Sequence, residues 1–243
     1  MAKPIRIAMW SGPRNISTAL MRSWGNRPDT VVIDEPFYAF YLRKTGKPHP
    51  GAAEVLSACE TDPRGVIETL LAPLPPGKTI FYQKQMAHHL LPGIDQSWLD
   101  RVSNCFLIRD PAEVITSYIR KNEEPTLEDL GFARQIDLFR SVRQKTGAIP
   151  PVLDAADVLR APGKMLARLC GAVGVEFDEA MLSWPAGFRE TDGVWAKYWY
   201  AEVAKSTGFQ PYKPKAESVP ARLRERHEQC RKFYDELYQY RLV

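Results

Sequence analysis

Residues 9–20 of the chain read MWSGPRNISTAL, and this stretch decides the fold. An apolar run that includes Ile5 and Ile7 precedes it and predicts a short buried strand. Apolar residues at helical spacing, among them Leu20 and Trp24, occupy the end of this stretch and the residues after it, and they predict a helix. A turn rich in small and hydroxyl residues joins the two. Such a turn presents backbone N–H groups at the positive end of a helix, where an anion binds readily.

Polar side chains strengthen the prediction of an anion site in this loop. Ser17 and Thr18 add hydroxyl donors, and Arg14 adds a permanent charge whose donor fork fits a phosphate or a sulfate. Gly12 begins the loop, but Ile16 and Ser17 stand where a Walker A loop places its second glycine and its lysine. The loop therefore has P-loop-like architecture without the triphosphate chemistry. An ordinary strand–turn–helix corner is the alternative for the loop taken alone.

The composition indicates one α/β domain. The 243 residues are 44% hydrophobic and 26% charged, and we expect a single domain with helical insertions over residues 1–243. A net charge of +4 does not indicate a nucleic-acid partner but favours an anionic small molecule. The four cysteines are widely spaced, which predicts reduced thiols rather than disulfides or a zinc site. No apolar run in the sequence has the length of a membrane span, and we expect a cytoplasmic protein.

Two acidic residues follow the second predicted strand, which covers residues 30–33. Pro36 cannot donate to a strand ladder, so this strand should end near Asp34. Ligands of open parallel sheets bind beyond the carboxyl ends of the strands. Asp34 and Glu35 therefore lie where chemistry is expected. A turn carboxylate or a helix cap is the alternative role for Glu35.

A basic cluster follows the third predicted strand, which covers residues 79–82. Lys84, His88 and His89 come just past its expected end and could serve in acid–base and electrostatic roles. Adjacent histidines also resemble a metal site, but no carboxylate or cysteine stands at ligand spacing. We expect no metal. A structural hydrogen-bonding role is the alternative for each histidine.

A second anion site is predicted at the end of the fourth strand, an unbroken apolar run over residues 105–108. Arg109 follows this strand, and Ser117 lies about two turns along the next helix. An anionic ligand explains an arginine at this place, and a salt bridge to Asp110 or Glu113 is the alternative. Further along the chain we predict helices over residues 123–146 and 220–240 and a fifth strand that begins at residue 151.

Together these two motifs resemble the cofactor motifs of the sulfotransferase family, whose members use 3′-phosphoadenosine 5′-phosphosulfate (PAPS). The family's 5′-phosphosulfate loop reads Pro-Lys-Ser-Gly-Thr-Thr, and residues 13–18 stand at those places. Its 3′-phosphate motif is an arginine at a strand end with a serine eight residues on, as in Arg109 and Ser117. The resemblance covers most of the chain. It implies a three-layer α/β sandwich around a parallel sheet of about five strands, similar to P-loop NTPases.

The chain departs from the family pattern, which is typical of a divergent, bacterial-type member. Arg14 replaces the loop lysine and Ile16 replaces the loop glycine. The family's lysine–x–histidine becomes Lys84-Gln85-Met86, while Arg189 lies in a segment only loosely similar to the family's C-terminal cofactor motif. Glu35-Pro36 is similar to members that use a glutamate base.

The resemblance implies in-line transfer of a sulfonyl group from PAPS to a hydroxyl or amine of a small acceptor, leaving 3′,5′-ADP. In this scheme Glu35 or His88 accepts the substrate proton, Lys84 stabilises the leaving phosphate, and fixed cations replace a metal. The implied cofactor-binding residues are Gly12, Arg14, Asn15, Ser17, Thr18, Arg109, Ser117 and Arg189. Arg14, Ser17 and Thr18 would hold the 5′-phosphosulfate, and Arg109 and Ser117 the 3′-phosphate. A P-loop kinase or nucleotide hydrolase and a non-catalytic nucleotide-binding protein are the alternatives.

Overall fold

A parallel sheet organises the chain. The computed structural model describes residues 4–214 and 218–243, and in these ranges five strands form one sheet. The strands are β1 (Ile5–Ser11), β2 (Thr30–Asp34), β3 (Ile80–Met86), β4 (Ser103–Ile108) and β5 (Val152–Asp154). They lie in the order β2-β3-β1-β4-β5, with every neighbouring pair parallel. The predicted α/β fold with a central parallel sheet is confirmed, and β1 lies at its centre.

Helices connect the strands. They are α1 (Ser17–Gly25), α2 (Tyr38–Thr45), α3 (Ala52–Ala58), α4 (Pro63–Leu71), α5 (Pro111–Tyr118), α6 (Leu127–Leu130), α7 (Phe132–Thr146), α8 (Ala155–Arg160), α9 (Pro162–Ala172), α10 (Ala196–Trp199), α11 (Ala201–Ala204) and α12 (Arg224–Tyr238). Short 3₁₀ helices lie at Ala87–His89, Ser97–Arg101, Glu179–Leu182 and Ala221–Leu223. In the described part of the chain, none of the helices has both the length and the apolar character needed to cross a bilayer.

Alternation along β1 produces the predicted three layers. Ala8 and Trp10 face one side of the sheet and belong to a buried cluster with residues of α7 and α12. Ile7 and Met9 face the other side and belong to a cluster with residues of α1 and α9. Both faces of the central strand are therefore covered, as an all-parallel sheet requires.

Strand β3 is longer than predicted. It continues to Met86, so Lys84 lies within the strand and not beyond its end. The ladder with β1 continues through the polar residues Gln83, Lys84 and Gln85, and the ladder with β2 continues to Lys84; all three residues are buried. An apolar pattern does not extend over these residues, which explains the short prediction.

The helix predicted over residues 123–146 is wrong at its start. Thr126 and Asp129 form a capping box that begins the short helix α6, and Gly131 at φ +74° separates α6 from α7. Gly131 also packs against the β1–α1 loop. A β-carbon there would lie 3.3 Å from His88 Nδ1 and 3.5 Å from Gly12 Cα. The turn therefore requires glycine both for its backbone conformation and for close packing.

Candidate functional site

The loop between β1 and α1 lies at the carboxyl edge of the sheet, next to its central strand. Asn15 fixes this loop, because its Nδ2 donates to Leu107 O on β4 at 3.1 Å and its Oδ1 accepts from Ile16 N at 2.8 Å. Helix α1 starts without a side-chain cap. The N–H groups of its first turn are thus placed to bind an anion, with the hydroxyls of Ser17 and Thr18 beside them.

Arg14 reaches from the loop to helix α5. Its Nε donates to Ser117 Oγ at 3.0 Å, and Arg109 Nη1 donates to the carbonyl oxygen of Arg14 at 2.8 Å. The backbone of Arg14 is left-handed, with φ +55°. The two arginines predicted to lie at opposite ends of an adenosine therefore meet with Ser117 at one corner, which we call the arginine corner (Arg14, Arg109 and Ser117).

Positive charge dominates the arginine corner. Burial and the nearby charges of Arg109 and Arg120 lower the pKa of Arg14, although an arginine stays protonated in proteins. In the described part of the chain, no carboxylate forms an ion pair with Arg14. Arg109 does form the ion pair considered as its alternative role, since its Nε lies 2.9 Å from Glu113 Oε2. Among the residues that the structure describes, one of the two guanidiniums thus has no carboxylate partner.

Lys84 forms the centre of a second, buried cluster. Its Nζ lies 2.7 Å from Asp34 Oδ1, 2.5 Å from Glu35 Oε1 and 2.8 Å from Tyr200 Oη. The hydroxyl of Tyr200 in turn donates to Asp34 Oδ2 at 2.7 Å. We call these four residues the lysine cluster. An ammonium group has three N–H donors, so these contacts engage all of them and leave none for a phosphate oxygen.

The charges of the lysine cluster support one another. Burial alone would lower the pKa of Lys84, but Asp34 and Glu35 outweigh it and raise this pKa well above its usual value. Burial raises the pKa of Asp34, against the opposing effect of Lys84. The lysine therefore stays charged at neutral pH and holds both carboxylates in place.

Glu35 is oriented by this lysine and by its backbone. Its φ of +39° is unusual for a residue other than glycine. Oε1 contacts Lys84, whereas Oε2 lies 3.9 Å from His89 Nδ1. Its side chain is 14% exposed, compared with 1% for Lys84. Of the two carboxylates, Glu35 is the more exposed, and its second oxygen is the one that no hydrogen bond among the described residues engages.

The two histidines lie among tyrosine rings. His89 stacks between Tyr38 and Tyr41, with ring centroids 4.8 and 4.6 Å away, and His88 packs edge-on against Tyr41. Burial lowers the pKa of both histidines well below the usual value, so both are neutral at pH 7. Their Nδ1 atoms have no hydrogen-bond partner among the described residues. His88 also approaches the β1–α1 loop, since its Nδ1 packs with Gly12 around Gly131.

Arg189 lies away from the arginine corner. Its Nη1 donates to Arg22 O on α1 at 3.5 Å, and its backbone N–H donates to Asp192 Oδ2 at 2.9 Å. Asp192 forms a buried ion pair with Arg22, 2.6 Å long. This segment of the chain is therefore fixed to α1, and the structure does not bring Arg189 to Arg14, Arg109 or Ser117.

The sequence did not predict the role of Tyr200 in the lysine cluster. It lies in a stretch where aromatic residues are dense, which indicated only a pocket wall or a packed helix. Its hydroxyl accepts from Trp195 Nε1 at 3.3 Å, and Gly193 N donates to Asp34 Oδ2, also at 3.3 Å. A run of aromatic residues shortly after an Asp-Gly pair was the available signal, but nothing in it identified Asp34 and Lys84 as the partners.

Comparison with known proteins identifies the family and supports the fold. A family model described as a sulfotransferase domain matches residues 5–232. The chain belongs to the sulfotransferase domain family. The family indicated by the two anion motifs is thus confirmed.

Similar proteins are found among plant sequences and solved structures. The sulfotransferase domain is 36% identical over 220 residues to branched-chain-amino-acid aminotransferase-like protein 1 of Arabidopsis thaliana. That match covers 90% of this chain but only 39% of the plant protein, so the chain spans about two fifths of its relative.

Two solved structures share the fold at low identity. The sulfotransferase domain from the Synechococcus PCC 7002 olefin synthase is 20% identical with a TM-score of 0.60, and the match covers 100% of this chain and 98% of that chain. A sulfotransferase from Alicyclobacillus acidocaldarius is 12% identical with a TM-score of 0.55, and the match covers 100% and 98% of the two chains. Both support the architecture of this sulfotransferase domain.

Proposed function

We propose that this sulfotransferase domain transfers a sulfonyl group from PAPS to a hydroxyl or amine of a small acceptor. The observation that carries the proposal is the arginine corner beside the uncapped start of α1, where the guanidinium of Arg14 donates to Ser117 and that of Arg109 donates to the backbone carbonyl of Arg14. A molecule with anionic groups at both ends of an adenosine suits this arrangement, because the helix start and the arginine corner offer separate groups of donors.

The described residues fit such a cofactor. Gly12 lets the loop pack against the end of α6, since an added β-carbon would lie 3.0 Å from Leu130 O. The first N–H groups of α1 with Ser17 and Thr18 would hold the 5′-phosphosulfate, and Arg109 with Ser117 would hold the 3′-phosphate. PAPS would supply the sulfonyl group. Asn15 would act by fixing the loop through its bond to β4.

Glu35 is the residue that we assign as the base. Its Oε2 has no hydrogen bond among the described residues, and its partly exposed side chain can accept the proton of an acceptor hydroxyl. His88 is the alternative base, but burial lowers its pKa, which makes it a weaker proton acceptor. We assign Lys84 to holding Glu35 and not to the leaving phosphate, because its three donors are engaged.

Calorimetric titration with 3′,5′-ADP and with ATP tests the cofactor. We expect 3′,5′-ADP to bind more tightly, and Arg109→Ala to weaken it by about 1.5–3 kcal/mol because a charge-assisted contact is lost. Arg168→Ala, an exposed arginine on α9, is the matched control and should leave binding unchanged. Tighter binding of ATP would instead favour a kinase or nucleotide hydrolase.

Transfer of labelled sulfate from PAPS to a panel of hydroxyl and amine acceptors tests the reaction. We expect a labelled product that is lost in Glu35→Gln. Binding of 3′,5′-ADP without transfer to any acceptor would favour the non-catalytic alternative.

A further inference from the structure

The loop arginine is oriented toward helix α5 and not toward its own helix. Its side chain ends at Ser117 Oγ, and its carbonyl group accepts from Arg109, so both parts of Arg14 are fixed to the β4–α5 corner. A left-handed backbone at φ +55° sets this direction. Among the described residues the guanidinium donates only through Nε, so its two terminal nitrogens are left for a ligand.

The charge at this corner matches a phosphate better than a sulfate ester. Arg14 donates to the hydroxyl of Ser117 and Arg109 donates to the carbonyl oxygen of Arg14, and among the described residues only Arg109 has an ion pair with a carboxylate there. A terminal phosphate monoester carries a charge of about −1.5 to −2 at neutral pH. Each group of a phosphosulfate carries a single negative charge, for which the start of α1 and its hydroxyls suffice.

We propose that Arg14 determines specificity for the 3′-phosphate, and that the phosphosulfate is held without a loop cation. This inference rests on the proposed function. Arg14, Arg109 and Ser117 then act together as one receptor for a phosphate monoester on the ribose. The start of α1, with Ser17 and Thr18, binds the other end. An arginine at this loop position thus serves recognition of the nucleotide and not activation of the sulfonyl group.

Titrations with three nucleotides distinguish binding at the 3′ end of the cofactor from binding at its 5′ end. The titrations use 3′,5′-ADP, adenosine 5′-phosphosulfate and 5′-AMP, of which only the first carries the 3′-phosphate. We expect Arg14→Ala to weaken the binding of 3′,5′-ADP by about 10- to 150-fold. The affinities for the other two nucleotides should stay nearly unchanged. Arg109→Ala should show the same selective loss, whereas Arg168→Ala should affect none of the three.

The outcomes distinguish the inference from the proposed function. An equal loss for adenosine 5′-phosphosulfate and 3′,5′-ADP in Arg14→Ala would place its charge at the 5′ end and overturn the inference alone. Failure of the unmodified protein to bind 3′,5′-ADP would overturn both. If Arg14→Ala does not fold, Arg14→Gln keeps a donor toward Ser117 but removes the charge, and it should show the same selective loss.

Discussion

Replacing Lys84 by methionine tests whether the lysine cluster is a stabilising unit. The variant keeps the length of the side chain but removes a buried ammonium that contacts Asp34, Glu35 and Tyr200 within 2.8 Å. Asp34 would remain buried, with Tyr200 and the N–H of Gly193 as the donors to its side chain among the described residues. Removing one partner of a buried ion pair typically costs about 3–5 kcal/mol.

Urea and thermal unfolding measure this cost. For a domain of this size, each kcal/mol shifts the Tm by about 2–4 °C, so we expect Lys84→Met to melt about 6–20 °C below the unmodified protein. Lys164→Met makes the same change at an exposed position of α9 and should stay within about 0.5 kcal/mol.

The loss of stability caused by Lys84→Met should also depend on pH. Burial already raises the pKa of Asp34, and Lys84 opposes that shift. Without the lysine the pKa of Asp34 rises further, so the folded variant gains stability as the pH falls through this raised value toward the unfolded one. The lysine itself, with its raised pKa, stays charged over this range. The cost at pH 5 should therefore be smaller than at pH 8. A loss below about 1 kcal/mol, or one that does not change with pH, would refute the reasoning.

Three further variants test the site and its supports. Glu35→Gln keeps an acceptor for the buried lysine but no base, so turnover should fall about 10²- to 10⁴-fold while 3′,5′-ADP binding is retained; full activity would move the base role to His88. Gly131→Ala should lower the free energy of unfolding by about 1–2 kcal/mol, because a side chain is forced into a left-handed backbone. It should also weaken the binding of 3′,5′-ADP, and unchanged binding would show that this turn does not support the loop. Asp192→Ala leaves Arg22 charged and buried, so chemical unfolding should show a loss of about 3–5 kcal/mol, and a value near zero would mean that water compensates the arginine.

Local patterns were sufficient to predict the framework of the site. The loop over residues 12–18 and the Arg109–Ser117 motif each depend on a strand, a turn and the next helix, so the sequence carries them within a few residues. The parallel sheet then brings both motifs to the same edge, because all its strands end there. Their proximity followed from topology alone.

The direction of individual side chains could not be predicted in this way. Arg14 bonds to a serine 103 positions away, and its left-handed backbone has no signature in a residue other than glycine. The saturation of Lys84 depends on Tyr200, which is 116 positions further along the chain. The β3 boundary was missed because pairing with β1, joined by β2 as far as Lys84, keeps Gln83–Gln85 extended without an apolar pattern.

The bond between Tyr200 and Asp34 has a consequence for biosynthesis. The two residues are separated by 166 positions, so a ribosome that adds about 5–20 residues per second needs about 8–33 s to produce the second after the first. During that interval the emerging polypeptide has β2 and, for part of the time, β3, but not the hydroxyl that completes the cluster. We therefore expect the lysine cluster to be completed last, after the sheet has assembled, so that intermediates halted before residue 200 would have the β1–α1 loop but an incomplete lysine cluster.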